Sequence, residues 1–442
     1  MTDIHLTLIP LRSGLLADRD STATVLIRVR APVASRLENR TRRPLNLALV
    51  IDRSGSMSGR PLAEARRCAE FAINALAPTD QASIVTYSDR VDVLAPSQSV
   101  GDRRRLLGAI RSITGGGSTA LFDGWQLGAD QALFGHSSEG LSRVLLLSDG
   151  QANVGLRDAE QIAPRVAHAA RQGVSTSTYG LGHHFNEHLM MSMAKAGQGN
   201  GYYGESAEDL MDPFREELEL LNDLCARRLD LSLEAPAGVR ISLLNDYEQL
   251  SPGRWRLPDL AHGSEAWALA EIRVPAEVAR SRGVNEIEIL RAALDFEPLD
   301  GGRGHAKPAR LVLPFMPAWD FDALDINETV SARLQEIRAA DIQVRASRAA
   351  RHQQWDVVDQ LPATARNECA NNPWLLESLD SLTRYATRRD TECFSKEAAF
   401  KSQKLKSRLV DPNESAREYD SAGQVEVSSY LRRKPEQGKQ LL

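Results

Sequence analysis

The hydrophobic pattern of the chain changes period along its length. Ile4, Leu6 and Leu8 alternate with polar residues, and Val25, Ile27 and Val29 alternate again after the polar 18–22 turn. Period two predicts two antiparallel strands, each with one buried and one exposed face. Two strands alone are marginal, so they need partners from elsewhere in the chain. From Leu45 the run Leu45-Asn46-Leu47-Ala48-Leu49-Val50-Ile51 is almost unbroken, as expected of a parallel strand covered on both faces. A Gly/Ser loop follows. Pro61 then opens a helix in which Leu62, Ala65, Ala69, Ala72, Ile73 and Leu76 recur at helical spacing. Further strands are predicted at 82–87, 91–94, 143–147, 174–179 and 202–203, and helices at 102–113, 120–133, 158–171, 187–196 and 207–226. This alternation specifies a doubly wound, mostly parallel α/β domain.

Residues 228–315 return to alternation at Leu229, Leu231 and Leu233, at Val239 and Ile241, and across 267–274, 287–294 and 310–315. Strands without intervening helices predict an antiparallel β-sandwich. The two unpartnered N-terminal strands would complete it, which makes the α/β domain an insertion. From Asn327 the pattern is helical, with one apolar stripe at Val330, Leu334, Ile337 and Ile342 and another at Trp355, Val358 and Leu361. Asn372-Pro373 starts a further helix over 374–387. The expected organisation is sandwich strands in 1–40, the α/β domain in 41–226, the rest of the sandwich in 227–318, helices in 319–410 and a polar tail in 411–442 with one weak strand at 424–431.

A length of 442 residues agrees with several domains, since one core does not grow that large. With 54 Lys and Arg against 59 Asp and Glu, the net charge is −5, which argues against a nucleic-acid binder. No run approaches the roughly 18 apolar residues of a membrane helix. The first residues lack the basic and apolar regions of a signal peptide. Cys68, Cys225, Cys369 and Cys393 are scattered and form no Cys-x-x-Cys pair. The expected location is therefore the reducing cytoplasm.

Candidate chemistry gathers at the carboxyl ends of the buried strands, where open α/β sheets bind ligands. Asp52-Arg53-Ser54-Gly55-Ser56 follows the first of them and places one carboxylate and two hydroxyls on a tight loop. Gly115-Gly116-Gly117-Ser118-Thr119 can present the Thr119 hydroxyl at the start of a helix, and Ser148-Asp149-Gly150 supplies a second carboxylate. Asp52, Ser54, Ser56, Thr119 and Asp149 are five oxygen donors from three loops. Oxygen ligands without His or Cys select a hard cation, Mg²⁺ or Mn²⁺. A single Ser/Asp loop after a strand would more simply cap a helix; the agreement of three loops argues for the metal.

These motifs resemble the von Willebrand factor A domain with its metal-ion-dependent adhesion site, over about residues 44–224. The resemblance rests on Asp52-Arg53-Ser54-Gly55-Ser56-Met57, Gly117-Ser118-Thr119-Ala120-Leu121, Ser148-Asp149-Gly150 and Gly180-Leu181-Gly182. The flanking β-rich segments are similar in arrangement to those of bacterial relatives and of inter-alpha-trypsin-inhibitor heavy chains. The resemblance implies that Ser54 and Ser56 bind the metal directly, and Thr119 directly or through water. Asp52 and Asp149 would act largely through water and hold the serines. It also implies a non-catalytic partner-binding module, in which the metal accepts an Asp or Glu carboxylate of a partner protein. A second implication, from other members of the family, is an accessory subunit for a separate ring ATPase in remodelling or metal insertion. A metal-dependent hydrolase is a third reading, opposed by the lack of His and Lys chemistry around the motifs.

Other motifs receive plainer readings. His183, His184 and His188 lack a zinc-type ligand order and read as loop histidines. The segment Gly55 to Gly59 lacks the Lys-Ser/Thr of a phosphate loop, and Gly180-Leu181-Gly182 fails the dinucleotide fingerprint. Asp123 and Asn153 read as residues that fix loops. Cys68 reads as core. Arg333, Arg338, Arg345, Arg348 and Arg351 read as a solvated helix face.

Overall fold

The computed structural model describes residues 3–33, 43–137, 140–149, 152–181, 185–204, 207–278, 285–299 and 301–360, together with 375, 379, 382, 383 and 385–407. The expected tail at 411–442, most of the 374–387 helix and Cys369 lie outside the described residues. The chain folds into two units, one of residues 37–222 and one of residues 1–36 with 223–442.

In the 37–222 unit six strands form one sheet, in the order Val91–Ser99, Gln81–Tyr87, Leu45–Asp52, Leu141–Ser148, Val174–Leu181, Gln198–Gly204. All are parallel except the edge strand Val91–Ser99. Every residue of Leu45–Asp52 is buried, and helices Arg60–Ala75 and Leu121–Phe134 pack against it. That explains why its apolar run is continuous rather than alternating. The sheet grows first to one side of Leu45–Asp52 and then, from Leu141–Ser148, to the other. A topological switch point therefore lies between these two strands.

Inside this unit the buried Arg143 of Leu141–Ser148 pairs with Glu217 of helix Ala207–Asp223. Glu217 also accepts from Ser177, and from Asn200 and Tyr202 at 2.8 Å each. Burial alone would raise the Glu217 pKa, but Arg143 and these donors outweigh it and hold the carboxyl below its ordinary value. The helix expected to reach 226 ends at Asp223, because Leu224 and Ala226 are taken up in strand pairing with Ala261 and Leu260.

The second unit is the antiparallel sandwich read from the alternation. One sheet orders His5–Pro10, Ser21–Arg30, Glu265–Val274 and Arg240–Leu243. The other runs Glu248–Ser251, Arg254–Leu257, Leu224–Glu234, Glu286–Pro298, Ala309–Met316 and Leu15–Leu16. Ser21–Arg30 pairs with Glu265–Val274 along its whole length, from Arg30 opposite Glu265 to Ser21 opposite Val274. Val25, Ile27 and Val29 face Leu229, Leu231, Ile289 and Leu294 in a common core.

Two expectations need correction here. Ser21–Arg30 does not expose one face: Leu26, on the side away from that core, packs with Trp267, Leu269, Val330 and Ile337. Helix Glu328–Arg351 supplies the last two and so roofs the sheet. Arg333 of that helix is not solvated either; it is buried, bonded to Glu336 at 2.8 Å, and lies 5.4 Å from the Trp267 ring centre. Arg338, Arg345, Arg348 and Arg351 are exposed as expected.

Two outcomes follow from these contacts. Deleting residues 1–30 removes both the edge strand and the strand paired with Glu265–Val274. In limited proteolysis the 224–316 segment should become sensitive while residues 45–204 keep their resistance. In the other unit, Glu217→Ala should cost about 3–5 kcal/mol in urea denaturation at neutral pH, because it strands a buried guanidinium. The Glu217 contribution is fully present above its unfolded pKa and is lost as pH falls through its lower folded value. The gap between wild type and Glu217→Gln should therefore close on acidification.

Candidate metal centre

Asp52 ends the central strand, and the register that sets Ile51 against Leu147 brings Ser148 beside it. On the opposite flank Asp52 lies against Tyr87. Asp52 is wholly buried. Its Oδ2 accepts from Ser148 Oγ at 2.7 Å, and its Oδ1 accepts from the Ser54 N–H at 2.8 Å. The second of these bends the chain into the Ser54–Ser56 loop. Burial raises the Asp52 pKa, and the hydrogen bonds from Ser148 and Ser54 offset only part of the rise. The same desolvation, with the Asp52 charge adding to it, pushes the buried Tyr87 hydroxyl well above its ordinary value.

The two serines converge. Ser54 Oγ and Ser56 Oγ are 3.1 Å apart, and Ser56 Oγ donates to Asp149 Oδ1 at 3.0 Å. Ser54 is buried, Asp149 is 7% exposed, and Ser56 is open to solvent. The oxygens thus run from a dry end at Asp52 to a wet end at Ser56. The glycine loop is tied to this one by two backbone bonds, Gly55 N–H to the Gly117 carbonyl at 2.8 Å and Gly116 N–H to the Arg53 carbonyl at 2.7 Å. Thr119 is buried, and its N–H donates to Asn153 Oδ1 at 2.7 Å. Asn153 and Val154 N–H return bonds to the Thr119 carbonyl, so Asn153 fixes this loop.

The structure therefore joins Asp52, Ser54, Ser56 and Asp149 in one hydrogen-bonded set and anchors the loop of Thr119 beside them. Among the described residues, the Thr119 hydroxyl makes no hydrogen bond to the other four. Two further contributors lie outside the five donors read from the sequence. Ser148 precedes Asp149 and was visible as part of that motif. Tyr87 carried no local signal, since only strand order puts it beside Asp52. Elsewhere, His188 is an exposed residue of helix Glu187–Ala196, and His183 and His184 lie outside the described residues. Among the described residues no three His, Cys, Asp or Glu side chains gather in a metal-binding group. The donor set here is instead two carboxylates with hydroxyls, which suits a hard cation.

Residues 46–216 match the family model of the von Willebrand factor type A domain, and the chain carries a domain of this class. Such domains serve as protein–protein interaction modules. A protein of Synechocystis sp., described as uncharacterized, is 28% identical over 244 residues, which are 54% of this chain and 57% of that protein. The human inter-alpha-trypsin inhibitor heavy chain H4 is 29% identical over 157 residues, 33% of this chain and 16% of its own length. The chain thus spans just over half of the first relative and a smaller part of the second. A solved structure described as a von Willebrand factor type A protein from Catenulispora acidiphila superposes with a TM-score of 0.67 at 15% identity. It covers 86% of this chain and 90% of its own, so the likeness in fold extends beyond the type A domain.

Gly117 has φ +91°, and a Cβ there would collide with the Asp89 carboxylate. Gly117→Ala should displace the loop at a cost of about 1–3 kcal/mol. Chemical denaturation checks it, with the conformationally ordinary Gly108→Ala as reference.

Proposed function

We propose that this protein is a non-catalytic binding module that captures a partner protein through a divalent cation, Mg²⁺ or Mn²⁺, held by Asp52, Ser54, Ser56, Thr119 and Asp149. The observation that supports it most is Asp52, a wholly buried carboxylate with no cationic partner among the described residues. A buried anion held only by hydroxyl and amide donors is expensive, and a cation beside it removes the cost. Ser148 and the Ser54 amide orient Asp52, while Asp149 orients Ser56. Both serine hydroxyls keep lone pairs for a metal. When bound, the cation supplies an electrophilic centre that attracts a carboxylate oxygen from an Asp or Glu of the partner. The exposure of Ser56 supports an approach of that carboxylate from the solvent side. A reducing location, the cytoplasm, belongs to this reading and is supported by four scattered cysteines that form no Cys-x-x-Cys pair.

Calorimetry on metal-stripped protein should give one Mg²⁺ or Mn²⁺ site that disappears in Asp52→Ala and in Asp149→Ala. Unchanged binding in both variants would place the metal elsewhere. Protons compete for Asp52, whose pKa is raised, so affinity should fall as pH drops through that raised value, by about tenfold per pH unit below it. A partner recovered by pull-down should be released by EDTA and lost with Ser54→Ala/Ser56→Ala, a variant whose melting temperature without metal stays close to that of the wild type. Capture that survives EDTA and both serine substitutions would overturn the metal-mediated reading.

A further inference from the structure

Tyr87 ends strand Gln81–Tyr87, which flanks Asp52 on the side away from Leu141–Ser148, and the parallel register sets the two residues directly opposite each other. Paired residues of neighbouring strands point to the same face of a sheet, so the Tyr87 ring lies alongside the Asp52 carboxylate. Helix Leu121–Phe134 closes over that ring at Gly124, where a Cβ would come within 2.5 Å of the ring atoms. The backbone here also ties both loops of the site. The Tyr87 carbonyl accepts from the Arg53 N–H at 2.9 Å, and the Ser88 carbonyl accepts from the Ala120 N–H at 2.8 Å. Strand, helix and loops together fix the residue.

For packing alone, phenylalanine would serve as well. Tyr87 has no exposed surface, and its hydroxyl closes no hydrogen bond. A buried hydroxyl without a partner costs stability that phenylalanine would not lose. This hydroxyl faces the Asp52 carboxylate and the Ser148 hydroxyl, close enough for both to alter its hold on its proton. Of the two, the carboxylate is the stronger acceptor once ionised. A carboxylate offers about four lone-pair sites, and on Asp52 the Ser148 hydroxyl and the Ser54 N–H occupy two of them. A third donor from the strand side leaves the remaining site for the serine loop. A neutral donor suits this place better than an arginine or lysine, whose charge would repel a cation held by Asp52.

We propose that Tyr87 is a positioning residue of the metal centre, whose hydroxyl donates to the Asp52 anion and keeps its free lone pair turned toward Ser54 and Ser56. This rests on the metal-binding reading of the site. Tyr87 acts through Asp52 and is not itself a ligand.

Tyr87→Phe tests it in the full chain, with Mg²⁺ as the probe. Stripped of metal, the variant should melt at or above the wild-type temperature, because it loses an unpaired buried hydroxyl. Its Mg²⁺ affinity by calorimetry should nonetheless fall at least about tenfold, as expected of a residue that orients a metal ligand. Affinity equal to that of wild type would overturn the role of Tyr87 and leave the metal site standing. A lower affinity that comes with a lower metal-free melting temperature would show a merely structural residue and overturn it too. If the wild type itself bound no Mg²⁺, the metal-binding reading would fall and this proposal with it. A second measurement decides even if the variant does not fold. Fluorotyrosine placed at position 87 alone should give a fluorine NMR signal that moves in step with Mg²⁺ saturation, and a signal that stays still while Mg²⁺ binds would overturn the proposal.

Discussion

The pairing of Leu45–Asp52 with Leu141–Ser148 is the constraint on which the site depends. Its register places Asp52 next to Ser148 at the point where the strand order reverses, and both loops of acidic and hydroxyl residues hang from these two ends. Strand backbone, bonded on both flanks, fixes the Asp52 carboxylate far more firmly than a loop would. The Ser54–Ser56 turn then begins from a fixed acceptor, since Asp52 Oδ1 holds the Ser54 N–H. A shift of one residue in this register would turn Asp52 to the other face and separate it from Ser148.

Four of the buried carboxylates are held in two different ways. Glu217, Glu265 and Glu336 each face an arginine, namely Arg143, Arg28 and Arg333. In these places ionic geometry ties a helix to a strand, a strand to its neighbour, or one turn of a helix to the next. Asp52 is held instead by neutral donors, and its pKa rises while that of Glu217 falls. Glu217 is thus stabilised as an anion by the protein's own cation, whereas burial disfavours the charge on Asp52. Desolvation is common to both; the difference lies in whether the protein itself supplies the opposite charge.

The sandwich depends on contacts far apart in the sequence. Ser21–Arg30 is flanked by His5–Pro10 and by Glu265–Val274, so the N-terminal residues are interior to a sheet whose other strands come after residue 222. Helix Glu328–Arg351 covers the outer side of that sheet through Val330 and Ile337 and carries Gln343 on into the helical layer beyond. One long helix thus serves two packing surfaces, which is why its buried positions run almost all the way round.

The sequence by itself determined the strands and helices whose apolar spacing follows directly from burial. The unbroken run at 45–51 marked a strand covered on both sides, and alternation marked the sandwich, including its need for the first 30 residues. The motifs of Asp52, Ser54 and Ser56 and of Asp149 could be read at the ends of two parallel strands, whose loops point into one crevice, whereas Thr119 lies on a loop between helices Arg103–Arg111 and Leu121–Phe134. Tertiary structure decided the rest. Tyr87 and Ser148 reach Asp52 only through strand order. Leu26 is buried because a helix about 300 residues further along the chain lies over it, and Arg333 because it sits on that helix against Trp267 of the sheet. Gln343 is buried through what surrounds it in three dimensions. Local spacing records which face of an element is dry; what that face touches, and whether its polar atoms find partners, is set by long-range packing that no window of sequence contains.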